Sequence, residues 1–295
     1  MILVPPIKCQ GIKTKLVPSI RSAIQTPFTG QWIEPFCGSC VVALNVRPQR
    51  ALLTDTNQHI ITFYQSIKDG VLTAGLVKEF LQQEGNTLRQ QGGDYYYEVR
   101  ERFNTNGNSL DFLFLNRACF NGVMRFNKRG HFNVPFGNKP DRFRPAYITK
   151  IVNQVKMFKQ VLDNHDWHFA VADFRLSLAR ANEHDFIYVD PPYSGRHTDY
   201  YNTWDTADEN ELTALLQQSS SRFLLSTWHH NQYRENDAIN NWQDKRFSLR
   251  TLEHFYHVGA TEALRSAMTE ALIANYPLVY ELEQKHSSTD QMPLF

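Results

Sequence analysis

Short apolar runs, each closed by an acid, a proline or a polar turn, recur along the chain. Trp32-Ile33-Glu34-Pro35-Phe36, Ala51-Leu52-Leu53-Thr54-Asp55, Phe169-Ala170-Val171-Ala172-Asp173, Phe186-Ile187-Tyr188-Val189, Phe223-Leu224-Leu225-Ser226-Thr227 and a run from Glu270 to Tyr276 all have strand length. Runs that are nearly continuous in apolar residues belong to strands covered on both faces. Helical spacing falls between them. A turn at Gly38 precedes a helix from Val41 to Asn45, and Asn57 opens a helix that carries Ile60, Ile61, Tyr64 and Ile67. This alternation predicts an α/β fold, a Rossmann-like and mostly parallel sheet.

Between residues 58 and 146 the rhythm changes. Leu76 to Leu81, Tyr95 to Arg100 and Leu110 to Phe120 are helical in pattern. They lead into a segment rich in glycine and asparagine, Asn121 to Gly137, whose alternation around Lys128-Arg129-Gly130 predicts a β-hairpin. The expected organisation is one domain made of residues 1–57 and 147–295. Residues 58–146, helical plus a β-hairpin, are then inserted between its second and third strands.

With 42% hydrophobic and 21% charged residues, the 295-residue chain has the make-up of a soluble globular protein. No apolar run reaches membrane-spanning length, and the apolar start Met1 to Pro6 lacks the basic beginning of a signal peptide. A cytoplasmic protein without a membrane partner is expected. Four cysteines, Cys9, Cys37, Cys40 and Cys119, are too few for a disulfide framework at this size. Cys37-Gly38-Ser39-Cys40 has the spacing of a redox motif but no second pair to complete a metal site. His229 and His230 are adjacent, and neighbours on a regular element point in different directions. No metal is expected.

The net charge of +1 conceals an asymmetry. The first 33 residues carry Lys8, Lys13, Lys15 and Arg21 and no acid. From Leu113 to Lys150 stand Arg117, Arg125, Lys128, Arg129, Lys139, Arg142, Arg144 and Lys150 against Asp141 alone, interleaved with phenylalanines and a tyrosine. That pattern suits a surface that contacts nucleic-acid phosphates, and equally a solvated basic face over ordinary core aromatics.

Asp190-Pro191-Pro192-Tyr193 concentrates the candidate chemistry. The preceding apolar run delivers it to the carboxyl end of a strand, where open α/β sheets bind ligands. Prolines cannot continue the ladder, so Asp190 and Tyr193 sit on a stiff turn. The exocyclic nitrogen of adenine is a poor nucleophile because its lone pair is delocalised into the ring. Hydrogen bonds from its two N–H groups to the Asp190 carboxylate and the Pro191 carbonyl would localise that lone pair, with Tyr193 stacked on the base. The alternative is a turn that ends a strand and does no chemistry.

A small-molecule site is read at the other strand ends. Glu34-Pro35-Phe36-Cys37-Gly38 forms the first strand–helix turn, and Asp55 closes the second strand where a carboxylate can accept bonds from ribose hydroxyls. Asp55 can also serve simply as a helix cap. The turn has a single glycine, unlike the phosphate-binding turn of dinucleotide folds, so a cofactor with an adenosine and no phosphate fits: S-adenosylmethionine. Asp173 and Phe174, after the third strand, are expected beside its adenine ring.

In this order the motifs resemble those of the Dam-type DNA adenine-N6 methyltransferases, the D12 class of the alpha group. The resemblance also runs through Gly11-Ile12-Lys13, Tyr95-Tyr96-Tyr97-Glu98-Val99-Arg100, Asp111-Phe112-Leu113-Phe114-Leu115-Asn116-Arg117, Asn133-Val134-Pro135-Phe136, Ser226-Thr227-Trp228-His229-His230 and Glu253 to Ala260. It implies Lys13 near the cofactor carboxylate or the catalytic site, with Cys9 in the same segment where the family often has tryptophan. It implies Asp55 on the ribose and Asp190 on the target amine. In the hairpin it implies base readout by Asn121, Val123, Arg125 and Pro135, with Lys8 at a flanking guanine. Lys128, Arg129, Lys139 and Arg142 suit phosphates, which position without specifying. Double-stranded DNA is the implied partner. A restriction endonuclease acting on the same site, without direct contact, is a second. Methyl transfer to RNA adenine or to a protein amide, and a DNA-binding protein without catalysis, are the rival readings; Asp190 at the head of its tetrapeptide disfavours the amide enzymes.

Overall fold

A computed structural model describes residues 1–24, 27–193, 204–231, 233–255 and 267–278. The expected motif from Tyr256 to Ala260 lies outside the described residues. Helix α1 (Val17–Ala23) leads to β1 (Trp32–Glu34), α2 (Val41–Val46), β2 (Arg50–Asp55) and α3 (Gln58–Lys68). Three further helices follow: α4 (Ala74–Gln91), α5 (Gly93–Asn106) and α6 (Ser109–Ala118). The hairpin region comes next. The long α7 (Pro145–Asn164) then returns the chain to β3 (Asp166–Val171), α8 (Phe174–Leu178) and β4 (Phe186–Val189). Helix α9 (Thr206–Gln218), β5 (Arg222–Asn231), β6 (Ser248–Phe255) and β7 (Ala267–Ala274) complete the described α-helices and strands.

The strands form one sheet in the order β3-β2-β1-β4-β5-β7-β6. Strands β3, β2, β1, β4 and β5 run parallel, and β7 is antiparallel to both β5 and β6. The strand order reverses at the β1–β4 junction, so the crevice outside their carboxyl ends is the natural ligand position of this doubly wound fold. Strand β4 is buried at every position, as a central parallel strand covered on both faces should be. Its side chains alternate between two cores. Phe186 and Tyr188 stack on Trp32 at 5.3 and 5.7 Å on one face. Ile187 and Val189 join Ile33, Leu212, Phe223 and Ile273 on the other.

Helix α3 lies on β2 and β3, and α4 to α6 pack with α3 and α7. Asn57 and Thr73 cap α3 and α4 by accepting hydrogen bonds from His59 N and Leu76 N. Arg102 ties α4, α5 and α6 together: it donates to the buried Glu84 at 2.6 Å and to both oxygens of the buried Asp111 at 2.9 and 2.5 Å.

The strand reading at Phe169–Asp173 is corrected: β3 spans Asp166–Val171, in register with Arg50–Asp55. It is a sheet-edge strand in which only Trp167 is fully buried, so its polar beginning hid it. Strand β1 ends at Glu34 because Pro35 cannot extend the ladder.

Candidate active site

The tetrapeptide lies just beyond the carboxyl end of β4, at the point where the sheet order reverses. Lys13 reaches it from the N-terminal segment. Its ammonium is 2.8 Å from Asp190 Oδ1, donates to the Tyr193 hydroxyl at 2.7 Å and to the Gly11 carbonyl at 3.3 Å. The Tyr193 hydroxyl in turn donates to Glu270 Oε2 at 2.6 Å. Lys13 is 2% exposed and Glu270 0%, whereas the Asp190 side chain is 22% exposed and so opens on the crevice. The second oxygen of Asp190 has no hydrogen-bond donor among the described residues. Burial pushes the Asp190 carboxyl up to about 6; Lys13 pulls it down and Glu270 adds to the rise.

Glu34 ends β1 beside this group. It accepts from the Trp32 indole at 2.9 Å and is buried, which raises its carboxyl to about 8. Asp55 ends β2. Its two oxygens accept the backbone N–H groups of Gly38 and Asn57 at 3.0 and 2.9 Å, which partly offsets the upward push of burial. Asp55 therefore organises the first strand–helix turn, and Gly38 supplies the positive φ of 44° that the turn needs. Cys9 sits over Gly38, and burial raises its thiol well above the usual range, with the Asp55 charge adding to the effect. Phe36 and Phe174 stack at 5.6 Å, with Trp204 edge-on to Phe36 at 5.4 Å. Asp173 is the N-cap of α8 and is paired with the Arg175 guanidinium at 3.1 Å. Its carboxylate already has structural partners.

A second region lies beyond the end of α6. Antiparallel bridges join Cys119 to Phe136 and Phe126 to Phe132, and the tip closes through Asn127, whose N–H donates to the His131 carbonyl at 2.9 Å. Met124, Phe126, Phe132, Val134 and Phe136 are buried, so the period-2 alternation turns the intervening Val123, Arg125, Asn133 and Pro135 to the opposite face. Asn133 orients the Arg125 guanidinium, accepting from Nε at 2.7 Å and from NH2 at 3.1 Å. Asn104 on α5 holds the Phe132 backbone at both its N–H and its carbonyl. Asn121, in the left-handed region, is exposed, as are Lys128, Arg129, Pro135 and Lys139. Lys128, Arg129 and Lys139 form no ion pair among the described residues.

The N-terminal segment joins the two regions. Lys8 exchanges two hydrogen bonds of 2.8 Å with the Asn116 side chain on α6, and its own side chain lies against Gly122 in the hairpin. Any β-carbon at Gly122 would come within 2.5 Å of it. Five residues later the same segment delivers Lys13 to Asp190.

Sequence reasoning missed Glu270, Asn133 and Trp204. A lone glutamate within the apolar end of β7 was the available signal for the first, because a fully buried carboxylate demands partners. The adjacent histidines His229 and His230 meet each other. The register shifts between Trp228 and His230, and this bulge brings the two Nδ1 atoms to 2.8 Å. No cluster of three or more potential metal ligands occurs among the described residues.

Known proteins place this arrangement in context. The family described as D12 class N6 adenine-specific DNA methyltransferase matches residues 10–260. The chain is 32% identical over 228 residues to a DNA adenine methylase of Serratia marcescens, covering 72% of this chain and 78% of the relative. It is 28% identical to the retron Ec67 DNA adenine methylase of Escherichia coli, covering 73% of each. It is also 24% identical over 289 residues to the type II methyltransferase M1.LlaDCHI of Lactococcus lactis subsp. cremoris, covering 92% of this chain and 95% of the relative.

Proposed function

The chain belongs to the D12 class N6 adenine-specific DNA methyltransferase family, and on that premise we propose that it methylates one adenine within a short duplex site that contains GAT, such as GATATC. Within the family we take it to be nearest in kind to the modification methyltransferase of the EcoRV restriction system, serving either as the modification half of such a system or as a solitary methylase. The observation that carries the reading is the Asp190 carboxylate: one oxygen is held by Lys13 and the other has no donor among the described residues.

The amine of a paired adenine cannot be reached inside the duplex, so the base must be rotated out of the stack. Tyr193 then supplies a ring for it to stack on. Asp190 and the Pro191 carbonyl accept its two N–H groups, while Pro192 keeps the turn stiff. Rate acceleration comes from positioning and from fixed charge; no covalent intermediate on the enzyme is needed.

The donor set fits S-adenosylmethionine. The carboxyl ends of β1, β2 and β4 present Glu34, Asp55 and Asp190 along the crevice, and the carboxylates of Asp55 and Asp190 suit a positively charged sulfonium. Asp55 offers remaining lone pairs to ribose hydroxyls. Phe36 and Phe174 offer a flat apolar wall to adenine, with Asp173 at its edge, and Cys9 and Lys13 border the site from the N-terminal segment. When bound, this cofactor supplies the electrophilic methyl group.

Residues 58–146 are read as the target-recognition unit set into a catalytic domain of 1–57 and 147–295. Asn121, Val123, Arg125 and Pro135 would meet base edges and Lys8 a flanking guanine. Lys128, Arg129 and Lys139 would meet phosphates. The test is transfer of labelled methyl from S-adenosylmethionine to plasmid DNA, with the modified base located by sequencing. N6-methyladenine confined to one short motif is the expected result. No incorporation into duplex DNA by folded protein that binds the cofactor would redirect the search to RNA or protein acceptors.

A further inference from the structure

Glu270 is an unusual residue for its position. It lies on β7 between β5 and β6, opposite Trp228 on one side and Leu252 on the other, and it opens the run Ala271-Leu272-Ile273-Ala274. It is fully enclosed. A carboxylate removed from water in this way is costly unless charge and hydrogen bonds compensate. Its compensation comes from the active site: the Tyr193 hydroxyl at 2.6 Å and the Lys13 ammonium at 3.9 Å.

The direction of the hydrogen bonds is fixed by chemistry. An ammonium only donates, so the Tyr193 oxygen accepts from Lys13 and its single proton must go to Glu270. The chain runs Lys13 to Tyr193 to Glu270, while another Lys13 proton goes to Asp190. The Lys13 ammonium also lies 4.9 Å from the centre of the Tyr193 ring. Tyr193 is thereby anchored at its far end, on a segment that has already left the sheet.

We propose that Glu270 is a positioning residue for methyl transfer: through the Tyr193 hydroxyl it fixes the ring that receives the flipped base, and through Lys13 it fixes the orientation of the Asp190 carboxylate. This rests on the adenine methyltransferase reading given above. Glu270 acts through Tyr193 and Lys13, the two side chains it meets at 2.6 and 3.9 Å.

The test compares Glu270→Gln, Tyr193→Phe and the double variant in steady-state methylation of a duplex substrate, across pH. Glutamine keeps the shape and an acceptor oxygen but removes the charge. Glu270→Gln is expected to lower kcat by roughly tenfold, as loss of one charge-assisted contact would. KM for DNA and for cofactor should stay within about twofold. The two substitutions act through one chain of hydrogen bonds, so the double variant should be no worse than the poorer single.

The pH profile provides an independent readout. Asp190 is faced by Cys9 and Lys13 of the N-terminal segment, by Glu34 on β1, by Tyr188 on β4, by Tyr193 and by Glu270. Removing the Glu270 charge takes away one contribution that holds the Asp190 carboxyl up near 6, so the acid limb of kcat should move to lower pH. Unchanged kcat with an unmoved acid limb, or losses that simply add in the double variant, would overturn the proposal. So would a loss that follows a lowered melting temperature with the pH profile in place. Absence of DNA methylation by the parent protein would instead strike the functional reading itself, so the two failures are distinct.

Discussion

The crevice at the end of β4 and the hairpin beyond α6 both carry charged side chains, and they hold them in opposite ways. In the crevice, Lys13 contacts Asp190, Glu270 and the Tyr193 hydroxyl, which itself donates to Glu270, in contacts of 2.6 to 3.9 Å largely out of water. On the hairpin, Lys128, Arg129 and Lys139 stand in solvent over a buried layer of phenylalanines. Charges enclosed together depend on one another's protonation and geometry, so one substitution disturbs the whole group. Exposed charges act through a screened field and add nearly independently. The first design suits chemistry that needs one exact geometry; the second suits attraction to a polyanion. Arg125 stands between the two, since it faces outward but is oriented by Asn133.

The sharpest way to break the contrast is Asp190→Ala. Methyl transfer should fall by roughly a thousandfold or more, since the preorganised acceptor proposed for the reacting amine is lost. DNA binding measured by gel shift should be nearly unchanged, because the hairpin charges are untouched. Transfer near the parent rate would refute the mechanism.

Arg125→Ala tests the intermediate case. Discrimination at a single guanine should weaken by about 1–3 kcal/mol, with other positions of the site unaffected. Competition between the cognate duplex and duplexes changed at one base reads this directly. Lys139→Ala should do the reverse: weaken binding to every sequence by a modest factor and reduce the slope of log affinity against log salt by about one. Identical effects of both substitutions on all sequences would remove the distinction between reading and positioning residues.

The smallest effect concerns stability. Burial holds the Glu34 carboxyl at about 8 in the folded chain against an ordinary 4.5. Between those values the folded protein retains a proton that the unfolded chain releases, so stability falls as pH rises through the window. The penalty is complete above about pH 8 and absent below 4.5. Glu34→Gln should therefore raise the melting temperature by a few degrees above pH 8 and change it little below 4.5. An equal shift at both pH values would show that packing, not charge, sets the effect.

Several features were legible in the chain alone because they rest on local patterning. Short apolar runs located β1, β2, β4 and β5, and the prolines after Asp190 marked where the chain must leave the sheet. Alternation from Asn121 to Gly137 showed the hairpin, and its outward face carries Val123, Arg125 and Pro135 as that alternation requires. Strand β3 was displaced because a sheet edge tolerates polar residues such as Asp166 and His168. Strand β6, with Arg250 and Thr251 among its residues, was hidden for the same reason.

The amino-acid sequence by itself determined the fold class, the strand-ending turn Asp190–Tyr193 and the basic hairpin, since each follows from the period or chemistry of neighbouring residues. Only the tertiary structure decided which charges meet. Glu270 is 77 residues from Tyr193 and Lys13 is 180 residues from it. No local pattern encodes those contacts: they exist because the sheet order sets β7 beside β5 and the N-terminal segment runs from α6 to the end of β4. The bulge after Trp228 belongs to the same class, since a shift in strand register is settled between strands and not within one.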